Sequence, residues 1–283
     1  MPDAASQQRA RVQFGNMLDV EFVHLSDDGK LRDHNEDFAG FVEPDAPEQA
    51  QSHGWLFALA DGVGGHDHGE VASQTAIQQM LAGFRKAPAS EPLTAMLARL
   101  AKEANLRVYE TGKRASPGGS NMATTLVACA LRYDRLAVAH AGDSRCYLIR
   151  AGHSNLLTRD HTVANEQAKL GILSSKEAGE VHTKHVLVRS LGLDPFTTAD
   201  VNEYQIEAGD VLLLCSDGLH NTVEGSEMAA VAGQPGADLN AAARRLVELA
   251  NDRDGSDNIS VLIIRIRDVE RVGMYRGRPY KLR

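Results

Sequence analysis

Two periods alternate along the chain. Short apolar runs bounded by Gly, Asp and Asn occupy 20–28, 37–43 (DFAGFVE) and 54–60 (GWLFALA), and these predict strands. From Glu70 to Lys86, and more strongly from Glu91 to Tyr109, apolar residues return every three or four positions, which predicts two helices. Pro92 stands near the start of the second, where its missing N–H costs little. Three β-type runs between Met122 and Gly152 are separated by RYD and AGD and predict an antiparallel meander. A mixed helical and polar stretch covers 160–190. Two strands joined at EAGD follow, then a helix over 237–250 and a closing strand, ISVLIIRI. Strands joined by short turns, with helices in separate blocks, imply α+β layers: antiparallel sheets covered by helices.

No repeat or low-complexity linker divides the 283 residues, so one domain over 20–267 is expected, with an extension at 1–19 and a basic tail at 268–283. The net charge of −8 argues against a general nucleic-acid binder, whose affinity comes from neutralising phosphates. From Arg271 onward, RVGMYRGRPYKLR has five Lys or Arg and no acid. It reads as a solvated, partly disordered end, with a docking tail for an acidic partner as the alternative. Cys129, Cys146 and Cys215 each lie inside an apolar run; three cysteines at unrelated spacings are not a disulfide framework. There is no signal-like apolar stretch at the N-terminus and no membrane-length run. A soluble cytoplasmic protein is expected.

Four acids flank four of the apolar runs. Asp61 ends WLFALA and Asp217 ends VLLLCS, each followed by glycine; Asp37 opens DFAGFVE and Asp257 precedes NISVLIIRI. In antiparallel sheets, C-terminal ends and N-terminal ends share an edge, so the four can converge. Clustered carboxylates at the rim of an apolar core either take up protons or are compensated by cations. Oxygen donors without a Cys or His cluster favour magnesium or manganese over zinc. Gly62 lets backbone approach an ion and offer its carbonyl. A single Asp-Gly is more often a turn, and EAGD and RYD are read as nothing more. Unaided, the pattern supports a two-metal hydrolase or a metal-stabilised domain.

The motifs GKLRDHNED, ADGVGGH, MATTL, GDSRCYL, SDGL and GSDNISVLI occur in the order of the metal-dependent type 2C (PPM-type) Ser/Thr protein phosphatases. From about Phe22 to Ile266 the chain resembles a bacterial member of that family. The resemblance implies a four-layer α/β/β/α sandwich of two antiparallel sheets flanked by helices, with two manganese or magnesium ions at one end. By position, Asp61 bridges the ions, Gly62 gives its carbonyl to one, and Asp217 and Asp257 complete the other. Glu36 and Asp37 hold the surrounding waters. Arg32 grips the substrate phosphate, for which a guanidinium fork is suited. His66 is the candidate general acid for the leaving oxygen. Asp67 and His68 read as a polar loop, with an accessory ligand role as the alternative. His161, His182 and His185 fall in the flap region of similar proteins. Arg145 is expected to pair with a carboxylate, and Thr124 and Thr125 to be structural. The loop ASPGGSN carries no acid and Ala123 replaces a glycine, so a third ion site is expected to be weak or absent. His220-Asn221 stand where an acid is common.

The implied reaction is hydrolysis of phosphoserine or phosphothreonine in proteins by a metal-bridged hydroxide, opposing a bacterial Ser/Thr kinase, by a monomer with no membrane span. Two rivals share the acidic rim. A phosphoprotein-binding module would keep the fold without turnover, and a metal-dependent nuclease would need a basic approach surface that this composition does not supply.

Overall fold

The computed structural model describes residues 18–63, 68–89, 91–115, 122–174, 177, 181–275 and 278–281. Two five-stranded antiparallel sheets stack face to face. One has the order β1 (Leu18–Asp27), β10 (Ile259–Val269), β9 (Val211–Cys215), β6 (Arg145–Arg150), β7 (His153–Leu156). The other runs β2 (Asp37–Val42), β3 (Trp55–Asp61), β4 (Leu126–Arg132), β5 (Arg135–Ala141), β8 (Asp200–Gln205). A short helix α1 (Pro47–Ser52) joins β2 to β3, and α4 (Val163–Lys169) follows β7.

The inner strands β3, β4 and β9 are almost wholly apolar because both of their faces are covered, whereas the edge strands β7 and β8 are polar and exposed. Along β3, Trp55, Phe57 and Leu59 point between the sheets, where they meet Val127, Cys129, Leu212, Leu214, Leu262 and Ile264. The alternate residues Leu56, Ala58 and Ala60 face α2 (Gly69–Arg85) and α3 (Leu93–Ala115), through Ile77, Met80, Leu97 and Leu100. On the opposite sheet Leu213, Val261 and Ile263 face α5 (Asp217–His220), α6 (Gly225–Ala232) and α7 (Leu239–Arg253). The result is the expected α/β/β/α sandwich, in which each fully buried Leu, Ile or Phe side chain contributes about 1.5–3 kcal/mol. Phe22 packs edge-on against Phe41 and Phe57 at 4.6 and 5.0 Å between ring centroids, joining the sheets at one end of this core.

The meander expected over Met122–Gly152 is only half formed. β4 and β5 pair, but β6 pairs with β7 and β9 in the other sheet. The chain crosses between sheets at Gly142-Asp143-Ser144, crosses back between β7 and β8, and crosses once more between β8 and β9. Local sequence cannot distinguish a hairpin turn from a crossing, because either needs only a short polar break. The tail also departs from expectation: Val272–Tyr275 and Arg278–Lys281 pair as the hairpin β11–β12, and β10 runs on to Val269. Buried Cys129 and Cys146 face each other across the inter-sheet core with sulfurs 3.5 Å apart, as free thiols.

Candidate metal centre

Asp37 and Asp61 are direct cross-strand partners, since the β2–β3 register pairs the first residue of one with the last of the other. Asp217 is the first residue of α5, immediately after β9, and Asp257 lies two residues before β10. Two acids thus come from each sheet, and all four meet at one end of the sandwich, as antiparallel topology requires. Asp61, Asp217 and Asp257 line a cleft of about 580 Å³ together with Arg32, Gly62, Thr125 and Asp143.

Asp143 is the functional candidate that sequence reading missed. It occupies the crossing from β5 to β6, was read there only as part of a break between strands, and is 7% exposed. Its place in Gly-Asp-Ser-Arg, at the same sheet end as Asp61, was the available signal.

The backbone around the acids is clamped by neutral polar groups. Asp61 N–H donates to Thr125 Oγ1 (2.9 Å), and its carbonyl accepts from Thr125 N–H and Thr124 Oγ1 (both 2.8 Å). The two threonines are therefore structural, as expected, but what they hold is Asp61. Thr125 and Ser144 hydroxyls lie 2.7 Å apart, which ties this clamp to the neighbour of Asp143. His220 Nε2 donates to the Asp143 carbonyl (3.0 Å), and Asn221 Nδ2 donates to Asp217 Oδ2 (3.2 Å). Asn258 receives Glu36 N–H on Oδ1 (2.8 Å) and donates from Nδ2 to the carbonyls of Asp28 and His34. Gly62 N–H bonds the Glu36 carbonyl (3.0 Å). A Cβ on Gly62 would meet the Gly69 carbonyl at 2.5 Å, so the end of β3 and the start of α2 approach here only because residue 62 is glycine.

The electrostatics are those of crowded anions. Burial, together with Asp217 and Asp257, pushes Asp37 up to about 7, against the opposing bond from Ser216 Oγ to its Oδ2 (2.7 Å). Burial and then Asp37 and Asp217 hold Asp61 well above the usual carboxylate range. Burial and then Asp217 raise Asp143 to about 8, and burial and Asp257 raise Asp217 to about 6. Asp37 Oδ1 is buried with no hydrogen-bond partner. An orphaned carboxylate oxygen among mutually repelling acids is what a hard divalent cation, or water held by one, satisfies. The donors therefore fit magnesium or manganese. Among the described residues, the three-residue sets with ligand atoms all within 4.8 Å are His140–His161–Asp200 and His34–Glu36–Glu70, so Asp61, Asp217 and Asp257 are spaced more widely than a closed cage. That spacing suits ions that retain water ligands.

A family model described as Protein phosphatase 2C matches residues 36–257, the span that holds every one of these acids. The chain belongs to the protein phosphatase 2C family. It is 32% identical over 258 residues to the serine/threonine phosphatase stp of Listeria innocua, covering 89% of this chain and 96% of that protein. It superposes on the PPM Ser-Thr phosphatase MsPP from Mycobacterium smegmatis, in complex with cacodylate, with a TM-score of 0.72 and 35% identity over 89% of this chain and 99% of that one. The catalytic domain of the serine/threonine protein phosphatase PstP, in complex with two manganese ions, matches with a TM-score of 0.73 and 30% identity, over 89% and 100% of the two chains.

In this phosphatase 2C chain, Arg32 lies at the cleft with Nη2 2.9 Å from both Asp257 carboxylate oxygens. Glu36 packs beside Gly69 and lies 3.4 Å from His34 Nε2. His66 and Asp67 lie outside the described residues, as does 116–121 of the acid-free loop at 115–121. His68 takes the left-handed conformation at the start of α2 (φ 64°), 3.9 Å from Glu70, and is not among the residues lining the cleft. Arg145 pairs with Asp160 through two bonds of 2.9 and 2.7 Å, the brace that was expected.

His161 departs from expectation. It is 3% exposed, receives Gly142 N–H on Nδ1, bonds Asp200 through Nε2 and stacks on His140 at 4.8 Å. Parallel stacked imidazoles do not aim their in-plane lone pairs at one point, and Arg189 already compensates Asp200. This cluster braces the turn before Asp143. His185, by contrast, lines the cleft, with Nδ1 4.0 Å from Asp217.

Proposed function

We propose that this cleft hydrolyses phosphoserine and phosphothreonine in proteins, with Asp61, Asp217, Asp257 and the Gly62 carbonyl as the ligands of two manganese or magnesium ions. The observation that carries the assignment is the cluster of crowded, mutually repelling carboxylates at one cleft, with an orphaned, buried oxygen on neighbouring Asp37. Ions bound there supply charge neutralisation for phosphoryl oxygens and make water acidic enough to yield a nucleophile near neutral pH. Glu36 and Asp37 orient the surrounding water, and Ser216 fixes the Asp37 carboxylate. Arg32 binds the phosphate with its remaining N–H groups while Asp257 steadies the guanidinium. His66 delivers the proton to the departing seryl or threonyl oxygen.

The expectation of a weak third site rested on the loop at 115–121. Asp143 lines the same cleft as Asp217 from another loop, and these two acids would hold any third ion. The substrates are phosphorylated proteins, and a Ser/Thr kinase is the natural opposing activity. No helix among the described residues is long and apolar enough to cross a membrane.

The test is turnover of a phosphothreonine peptide with manganese, with EDTA, and with manganese in Asp217→Asn. Activity that requires the ion and disappears in the variant is expected. Wild-type turnover by Asp217→Asn at saturating manganese would overturn the assignment.

A further inference from the structure

Nine large apolar side chains stand exposed among the described residues, and six belong to one segment: Leu170, Ile172, Val186, Val188, Leu193 and Phe196. Three of them, Val186, Val188 and Leu193, line the same cleft as Arg32, Asp61, Asp217 and Asp257. Exposed apolar groups are ordinary when scattered, but a cluster continuous with a catalytic cleft marks a binding surface.

The segment is also held in place. Val163 N–H bonds the Val186 carbonyl (2.9 Å) and Val188 N–H bonds the His161 carbonyl (2.9 Å). Leu191 and Thr124 exchange a reciprocal pair of backbone bonds at 2.8 and 3.1 Å. Fully buried Asn105 grips the next turn from both sides, receiving Gly192 N–H on Oδ1 (2.9 Å) and donating from Nδ2 to the Asp194 carbonyl (2.8 Å). Val186, Val188 and Leu193, each about half exposed, are thus presented to solvent by a fixed backbone. Backbone already fixed loses little freedom on binding, so the contact these side chains make is not offset by that cost.

We infer that this wall of the cleft reads the residue next to the phosphorylated Ser or Thr, and selects phosphoproteins that carry an apolar side chain there. The inference rests on the phosphatase reading above and adds to it a substrate preference. The occupant follows from continuity. A phosphate held at Arg32 and the acids leaves the adjoining part of the substrate chain against the wall where Val186, Leu187, Val188 and Leu193 line the cleft, interleaved with His185, Arg189, Ser190 and Asp194.

The experiment compares kcat/KM of the manganese-loaded protein on three matched phosphothreonine peptides, with Leu, Gly or Asp flanking the phosphorylated residue. The leucine peptide is expected to exceed the glycine peptide by about tenfold, chiefly through KM, as suits removal of a leucine-sized apolar contact. In Leu193→Asp, and in the nearly isosteric Val188→Thr, the leucine-to-glycine ratio should fall toward one. Because the ratio is taken within each variant, a general loss of activity does not imitate the result. Equal turnover of the three peptides by the wild type refutes the preference while leaving the phosphatase reading intact. Failure to turn over any of them with manganese refutes the phosphatase reading itself. A wild-type dimer by sedimentation that Leu193→Asp converts to a monomer, with the peptide ratio unchanged, would assign the surface to a second copy and overturn the inference.

Discussion

Removal of divalent ions should make the stability of this protein fall as pH rises toward neutrality, and Asp37→Asn should flatten that fall. Asp37 is 8% exposed, and burial pushes its carboxyl from 3.8 up to about 7. Between those values the folded chain keeps a proton that the unfolded chain has released, so stability is fullest below 3.8, declines through the window and levels off above about 7. The difference corresponds to roughly 4 kcal/mol for this one group, or ~10 °C in Tm for a protein of this size. Two buried histidines act with the opposite sign. Burial lowers His24 to about 4 and His220 to about 3, so each adds stability as pH rises to 6.5. The informative quantity is therefore the wild-type Tm minus that of Asp37→Asn, measured in EDTA from pH 5 to 8. The asparagine keeps an oxygen for Ser216 but places an unpartnered amide where Oδ1 lies, costing about 1–3 kcal/mol at every pH, so the slope is diagnostic and the offset is not. Saturating manganese should abolish the wild-type decline, because cations beside Asp37 favour its ionised form. A difference that stays flat over pH 5–8 without metal would refute the account of Asp37 as a buried acid crowded by its neighbours.

Three further outcomes can be checked. Gly62→Ala forces a Cβ to within 2.5 Å of the Gly69 carbonyl, so urea denaturation should show a loss of about 1–3 kcal/mol, with a higher manganese concentration needed for half-maximal activity. Arg32→Lys replaces the fork with a point charge; KM for p-nitrophenyl phosphate should rise about tenfold, and an unchanged KM would remove Arg32 from the phosphate site. Arg145→Ala leaves the mostly buried Asp160 without its two-bond partner and should cost about 3–5 kcal/mol in unfolding free energy.

The layers were legible in the sequence because their physics is local. A run such as WLFALA is apolar at every position only if both of its faces are covered, and the three-to-four residue spacing of α2 and α3 marks the faces that cover it. The acids at strand ends could be placed on one edge from antiparallel pairing alone. Asp143 could not, because its position depends on the chain leaving one sheet for the other, and that choice is made by packing between strands distant in sequence. His161 was misjudged for a similar reason. Nothing adjacent to it signals that His140, Gly142 and Asp200 will enclose it. The hairpin in the basic tail was obscured by charge, since paired backbone at a surface needs no apolar signature.

The acids are divided evenly between the two sheets, Asp37 and Asp61 on one and Asp217 and Asp257 on the other. The gap the ions must span is therefore set by how closely the sheets lie, as the jaws of a calliper are set by its screw. Phe57, Leu214 and Ile264 sit between the sheets and line no part of the cleft, yet they are the thread of that screw. Thinning any of them would loosen the grip on metal from well inside the molecule, and a search for control over catalysis can begin there, far from the chemistry.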